Sequence, residues 1–174
     1  MLFRSTPLIV YWPKVLKKPG KSTVSLISAI DIAPTLLSAA NVRIPPTMQG
    51  VNFLSILEEP SAVVRQVAFS EHNWHDYEAH GRSVRTDDGW LYIKNNRPQL
   101  PWQGPADSVR SPSHVSLQTL RDQPDDLSVA QKDVFRAPRP QEELFFTPDD
   151  QLQLKNLASI ADDAKTLKDR KSVV

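Results

Sequence analysis

The sequence contains no cysteine among its 174 residues, which excludes disulfides, thiolate nucleophiles and thiolate metal ligands. Only five glycines occur, and they are not clustered, so a glycine-rich loop that cradles phosphate is absent. The formal net charge is +1, which provides no field to attract nucleic acid or an anionic membrane. No apolar run approaches the roughly 20 residues that span a bilayer. We therefore expect neither a nucleic-acid partner nor a membrane partner.

The first 60 residues carry a buried-strand pattern followed by a helix pattern. Pro7–Tyr11 is a continuous apolar run, which is typical of a strand buried on both faces in a parallel sheet. Asp31 is a good N-cap for the helix that follows, and Pro34 lies in the first turn, where its missing N–H does little harm. We expect this helix to end near Ala40.

The remaining residues predict short strands and helices. Val67–Phe69 and Glu143–Phe146 are strand candidates, and Arg82–Asn95 is a hairpin whose turn contains Asp88-Gly89. Two short helices are predicted, one over residues 113–121 and one starting at Ser128, which forms a capping box with Gln131. Residues 159–170 are predicted to form a final amphipathic helix.

Three groups of motifs follow one another in an order that resembles the C-terminal third of a sulfatase. The resemblance is closest to the heparan-N-sulfatase-like (sulfamidase-like) branch of the alkaline phosphatase-like superfamily. The first group comprises residues 7–13, 31–37 and 48–50; the second comprises residues 71–77, 82–87 and 92–95; the third comprises residues 140–145, 148–149 and 156–158.

The resemblance implies an α/β fold in two parts. Residues 1–60 would supply the last strand and helix of the alkaline phosphatase-like main sheet. Residues 61–174 would form a C-terminal subdomain, a small antiparallel sheet with a C-terminal helix. The Pro7–Tyr11 strand would then lack its upstream neighbours and expose an apolar face.

The resemblance also implies hydrolysis of sulfuric esters or sulfamates of sulfated sugars by the full-length parent, with formylglycine and calcium. The formylglycine motif, Cys/Ser-x-Pro-Ser-Arg, is missing here. Residues 110–114 read Arg-Ser-Pro-Ser-His, with no serine two before the proline and histidine in place of the arginine. We therefore expect no cofactor in this chain and no activity of the chain alone. The expected partners are a sulfated carbohydrate in the parent and an N-terminal sulfatase segment.

The densest group of polar side chains lies in residues 72–80 and contains three histidines. By the resemblance, His72, His75 and Arg82 belong to a substrate-pocket loop and donate hydrogen bonds to sulfate or sugar hydroxyls. Two alternatives remain open for this stretch: a solvated loop anchored by its aromatic residues, and a zinc site formed by the three histidines. For the whole chain, the alternatives are a non-catalytic module that binds sulfated glycans or a partner, and a small zinc-binding domain at residues 72–80.

Overall fold

The computed structural model describes residues 6–16, 20–102, 104–123, 127–160 and 168–169, which divide into two compact units. The first unit contains the described residues up to Phe69 together with Arg85–Asp88, and the second contains Ser70–Val84 and the described residues from Gly89 onward. The division at residue 60 stays a prediction. In chain order the elements are α1 (Ile32–Ala39), α2 (Leu54–Glu58), β1 (Val67–His75), β2 (Tyr77–Thr86), β3 (Trp90–Asn95), α3 (Ala106–Val109), α4 (Pro112–Arg121), α5 (Val129–Asp133) and β4 (Glu142–Phe146).

Helix α1 forms where the sequence predicts it, with Asp31 at its N-cap position, but the Asp31 side chain makes no hydrogen bond to the first turn. Its carboxylate accepts hydrogen bonds from the backbone N–H groups of Ser28 and Val51, each at 2.7 Å. It also accepts from the Arg65 guanidinium, whose Nε lies 2.9 Å from Oδ2. The predicted N-cap position is confirmed, but the predicted hydrogen bond to the first turn is not made, because donors before and after the helix in the chain occupy the carboxylate. Asp31 therefore ties three distant segments of the first unit together.

A second contact holds the chain after α1 against the start of that helix. A Cβ atom at Gly50 would lie 2.0 Å from the carbonyl oxygen of Ile30, so only glycine fits there. Nearby, the Thr35 hydroxyl accepts from the backbone N–H of Phe53 at 3.0 Å and donates to the Asp31 carbonyl at 2.6 Å. Close packing against the start of helix α1 thus explains the glycine of the Met-Gln-Gly stretch at residues 48–50.

Residues 7–11, which the sequence predicts as a buried strand, lie within the described part of the chain but form no strand. Ile9 is 90% exposed and Tyr11 is 87% exposed. A strand needs a neighbour that completes its hydrogen-bond ladder, and no described residue provides one for this run. The predicted last strand of the main sheet is therefore not formed here, although helix α1 of the same part is present.

The four strands form one antiparallel sheet in the order β1-β2-β3-β4. The predicted hairpin is confirmed as β2 and β3, joined by a turn in which Gly89 has a φ of +96°. A Cβ atom on Gly89 would lie 2.7 Å from Cγ of Pro148, so glycine is required both by the turn and by this contact. The strand predicted at Glu143–Phe146 is confirmed as β4, which pairs with β3 so that Leu91 faces Phe145.

The core of the second unit lies on the two central strands and on β4. On one face, Leu91, Ile93 and Phe145 form a buried cluster, and Trp102 packs against it. Because side chains alternate along a strand, Tyr92 and its partner Leu144 lie on the opposite face, where both are buried. Burying each such side chain stabilises the fold by about 1.5–3 kcal/mol.

The Pro-rich region between β3 and β4 contains both predicted short helices. Ser111 caps α4 through its side chain, and Ser128 and Gln131 make both hydrogen bonds of the predicted capping box at α5. The predicted helix over residues 159–170 lies largely outside the described residues. None of the helices within the described ranges is long and apolar enough to cross a membrane.

Candidate functional site

Residues 72–80, predicted as a loop, form the tip of the β1–β2 hairpin instead. Strand β1 ends at His75, Asp76 makes the turn with a φ of +63°, and β2 begins at Tyr77. The loop prediction was wrong because it followed the polar composition, whereas the aromatic residues and the partner strand favour pairing. The polar side chains of this stretch are therefore divided between the two faces of a sheet.

Arg82 lies on one face, where it contacts alternate residues of the neighbouring strand. Its Nη1 donates to Oδ1 of Asn73 at 2.6 Å, and its Nε lies 3.4 Å from Oε2 of Glu71. His75 is two residues beyond Asn73 along β1, so it points to the same face. Its side chain is 65% exposed, with Nδ1 3.9 Å from Oδ2 of Asp76. The structure thus places Arg82 and His75 on one partly exposed face.

By alternation along β1, the His72 side chain is turned away from those of Glu71 and Asn73, the two residues that Arg82 contacts. His72 lines a small open cleft of the second unit that encloses about 10 Å³, roughly the space of one water molecule. The cleft is lined by His72, Glu78, Ala79, His80, Asn95, Arg97, Leu100, Pro101 and Trp102. The three residues predicted to bind substrate are therefore not brought together at a single point.

The cleft carries little net charge. Burial, together with the nearby His75, holds the pKa of the His72 imidazole below its ordinary value of 6.5, so His72 is neutral at pH 7. Arg97 is paired with Glu78 at 2.5 Å, and its backbone N–H donates to Oδ1 of Asn95 at 3.1 Å. A neutral imidazole, an amide and a compensated ion pair suit hydrogen bonding better than the capture of an anion.

A buried ion pair contacts the tryptophan ring of the cleft. The Arg139 guanidinium lies 4.9 Å from the centroid of the Trp102 ring and pairs with Glu143 and Asp133, each at 3.2 Å. Burial raises the pKa of the Glu143 carboxyl, and Arg139 only partly opposes this effect. We assign this cluster a positioning role, because it fixes the ring that walls the cleft.

No group of three histidine, aspartate or glutamate side chains within the described ranges is placed to hold a metal ion. Residues 72–80 all lie in these ranges, so the geometry gives the zinc alternative no support. His114, which stands where a sulfatase motif would carry arginine, contacts the edge of the Phe135 ring at a centroid distance of 6.2 Å. It packs α4 against Phe135, two residues beyond the end of α5.

Sequence reasoning missed the residues that complete the cleft, namely Asn95, Arg97 and Trp102. Asn95 and Arg97 flank the end of a strand that was correctly predicted, and polar residues at a strand end are a usable signal for a site. Trp102 gave no such signal, because its place beside the cleft depends on how the Pro-rich chain folds back.

Comparison with known proteins decides the family. Residues 3–94, more than half of the chain, match the family model described as N-sulphoglucosamine sulphohydrolase, C-terminal. The chain belongs to this family. It is the C-terminal portion of a sulfatase, as the motif order indicates.

The curated relatives of this sulfatase portion are much longer than it is. It is 33% identical over 156 residues to an ulvan-active sulfatase of Formosa agariphila, covering 89% of this chain and 25% of that protein. It is 32% identical over 94 residues to arylsulfatase K of Mus musculus, covering 50% of this chain and 16% of that protein. The chain thus spans about a quarter or less of the length of these relatives.

Solved structures support the same fold for the sulfatase portion. A protein solved in complex with its substrate D-glucosamine-2-N,6-O-disulfate superposes with a TM-score of 0.52 at 18% identity, covering 82% of this chain and 22% of that one. A Bacteroides thetaiotaomicron protein assigned to the sulfatases gives a TM-score of 0.50, also at 18% identity, with the same coverage. The α/β fold class predicted from the sequence is confirmed.

Proposed function

We propose that this chain serves as the C-terminal part of a sulfatase that hydrolyses sulfuric esters or sulfamates of sulfated sugars. In this role it forms part of the wall of the substrate site and is inactive alone. The chemistry comes from an N-terminal sulfatase segment that associates with it. The family match over residues 3–94 supports the sulfatase assignment, and the names of the relatives and solved proteins support the sulfated-sugar class.

The apolar surface of the first unit carries this proposal. Ile9 and Tyr11 are almost fully exposed, and Leu36 on helix α1 is 64% exposed. Clusters of large exposed apolar side chains mark interaction surfaces. Residues 7–11 also lack the neighbour strand that their pattern requires. Both features fit a chain whose sheet is completed by the upstream part of a sulfatase.

The residues described here do not fit the calcium or the formylglycine of the family. The sequence has no cysteine and no Cys/Ser-x-Pro-Ser-Arg motif, and the described residues hold no cluster of three suitable metal ligands. We therefore assign no step through either group to this chain. Both belong, in this proposal, to the N-terminal segment, while His72, His75 and Arg82 remain proposed contacts for the sugar.

Sulfate release tests the proposal directly. The purified chain, incubated with an aryl sulfate and calcium, should release no sulfate above a protein-free blank. Mixing it with the N-terminal two thirds of a sulfatase from its own genome should give a stable complex by size-exclusion chromatography, and replacing Ile9 and Tyr11 with serine should weaken that complex. Sulfate release by the chain alone would overturn the proposal. So would a complex that is equally stable when Ile9 and Tyr11 are replaced with serine.

A non-catalytic glycan-binding module is the second candidate. It is favoured by Arg82, whose side chain is 32% exposed, and by the exposed His75 on the same face. The module predicts that the chain alone binds a sulfated oligosaccharide and that Arg82→Ala weakens binding, whereas Arg110→Ala at an exposed helix end does not. Isothermal titration calorimetry separates this outcome from the first candidate, in which binding needs the N-terminal segment.

A further inference from the structure

We propose that Asp76 is a positioning residue, which fixes His75 by tying the tip of the β1–β2 hairpin to helix α3. The inference rests on the proposed function, in which His75 contacts the sugar of the substrate. Asp76 itself contacts no substrate in this role. All the residues concerned belong to the second unit.

The outer part of the tip, residues 75–79, extends beyond the strand that supports β2. The Asn96 N–H donates to the His80 carbonyl at 2.9 Å, one residue past the end of β3. Because the two strands are antiparallel, the residues of β2 that precede His80 lie farther out than the end of β3. The outer part of the tip therefore needs contacts from another segment to hold one position.

Asp76 supplies such a contact through its carboxylate. Its Oδ2 accepts a hydrogen bond from the backbone N–H of Ala106, the first residue of α3, at 2.7 Å. That N–H has no acceptor within the helix, and Pro105 before it has no side-chain acceptor to offer. Because the acceptor is charged, this bond is stronger than one between neutral groups. It ties the turn of the hairpin to a helix 30 residues away in the chain.

The backbone at Asp76 restricts the residue types that can serve there. Its φ of +63° lies in the left-handed region, which aspartate and asparagine adopt more readily than most other side chains. Glycine also adopts this conformation, but it has no acceptor for the Ala106 N–H. Aspartate and asparagine thus meet both requirements, and glycine meets one. This difference separates the backbone conformation from the hydrogen bond in an experiment.

His75 is the side chain that this tie places. It is adjacent to Asp76 at the end of β1, and its side chain is 65% exposed. The distance of 3.9 Å from its Nδ1 to Oδ2 of Asp76 is too long for a hydrogen bond, so the imidazole stays available to a ligand. An exposed side chain on a mobile tip loses conformational freedom when it binds, which weakens binding. Fixing the tip beforehand removes part of that loss.

Steady-state kinetics of the complex between this chain and the N-terminal sulfatase segment tests the inference. The probes are D-glucosamine-2-N,6-O-disulfate and 4-nitrophenyl sulfate, which contains no sugar. Asp76→Gly should raise KM for the sugar sulfate about three- to tenfold, the loss of roughly one hydrogen bond. Because His75 contacts the sugar and not the reacting atoms, kcat should stay unchanged. KM for 4-nitrophenyl sulfate should also stay unchanged.

Three further variants separate positioning from a general loss of stability. Asp76→Asn keeps an oxygen acceptor and tolerates the positive φ, so its KM should match that of the wild type. In a His75→Ala background, Asp76→Gly should raise KM no further, because its effect acts through His75. Asp122→Gly removes an exposed carboxylate outside the hairpin and should behave like the wild type.

Amide hydrogen exchange of the chain alone measures the tie itself. The Ala106 N–H should exchange at least about fivefold faster in Asp76→Gly than in the wild type or in Asp76→Asn. The inference is overturned by unchanged exchange, by an unchanged KM for the sugar sulfate in an active complex, or by an equal rise of KM for both probes. An equal rise with and without His75 also overturns it. A wild-type complex that is inactive on both probes would instead refute the proposed function, and this inference with it.

Discussion

Replacing Asp31 with asparagine should strongly destabilise the first unit. The Asp31 side chain is fully buried and accepts from Ser28, Val51 and Arg65, while Arg65 keeps only 13% exposure. An asparagine can serve one of these donors through its oxygen, but its NH₂ group faces another donor. Breaking a buried ion pair by removing one partner costs about 3–5 kcal/mol, because the remaining charge stays buried. Total stabilities are about 5–15 kcal/mol, so this loss is large.

The pH dependence gives the same experiment a second readout. Burial alone would raise the pKa of Asp31, but hydrogen bonds from Arg65, Val51 and Ser28 outweigh burial and hold it below 3.8. A carboxyl with a lowered folded pKa contributes stability that is present above pH 3.8 and lost as pH falls through the folded value. That acid-side loss should be reduced in Asp31→Asn.

Urea unfolding followed by far-ultraviolet circular dichroism, from pH 7 down to pH 3, measures both effects. The control is Glu59→Gln, which changes an exposed carboxylate in the same unit and should leave the midpoint at pH 7 unchanged. Equal midpoints for Asp31→Asn and wild type at pH 7 would refute the assignment of Asp31 as the residue that ties the unit together. Arg65→Met should in turn destabilise Asp31→Asn far less than it destabilises the wild type.

Two further predictions concern the second unit. Arg139→Met leaves Glu143 buried without its cation, at a cost of about 3–5 kcal/mol at pH 7. Since burial raises the folded pKa of Glu143 above 4.5, the stability lost relative to the wild type should be smallest below pH 4.5 and should grow as pH rises, as urea titrations at several pH values would show. In Gly89→Ala the alanine would have to adopt a positive φ, and its Cβ atom would clash with Pro148. Thermal unfolding should therefore show a stability lower by about 1–3 kcal/mol, with Gly104→Ala as the tolerated control. An unchanged stability profile in either variant would contradict the contact that it removes.

The elements that the sequence predicted correctly depend on signals within a few residues. Asp88-Gly89 specifies its own turn, because glycine accepts the positive φ. Ser128 and Gln131 make a capping box from adjacent positions. The Arg65–Asp31 pair could not be read in this way, since 34 residues separate the partners and no local pattern links them. Such contacts belong to the tertiary fold.

The candidate site shows the same division. His72 and Arg82 were predicted as site residues because their side chains can donate hydrogen bonds, a property that follows from the residue type alone. Arg82 contacts Glu71 and Asn73, and His72 between them is turned away, because side chains alternate along β1; the stretch was predicted as a loop, where no such alternation applies. Residue types alone indicated the candidate ligand-binding side chains. The positions of these side chains along the paired strands decide which of them can contact the same ligand.

The two units differ in how far their own residues complete them. In the second unit, the outer edge of β4 is closed within the chain: Asn156 accepts from the backbone N–H of Leu144 at 2.9 Å, and the Leu157 N–H donates to the Leu144 carbonyl at 2.8 Å. In the first unit, residues 7–11 have strand-like apolarity and no ladder, and Ile9 and Tyr11 are exposed. Because backbone groups and apolar side chains are stabilised only when something pairs with or covers them, the first unit is the one that the proposed N-terminal segment would complete. The segment whose predicted strand did not form is therefore where the proposed partner would bind.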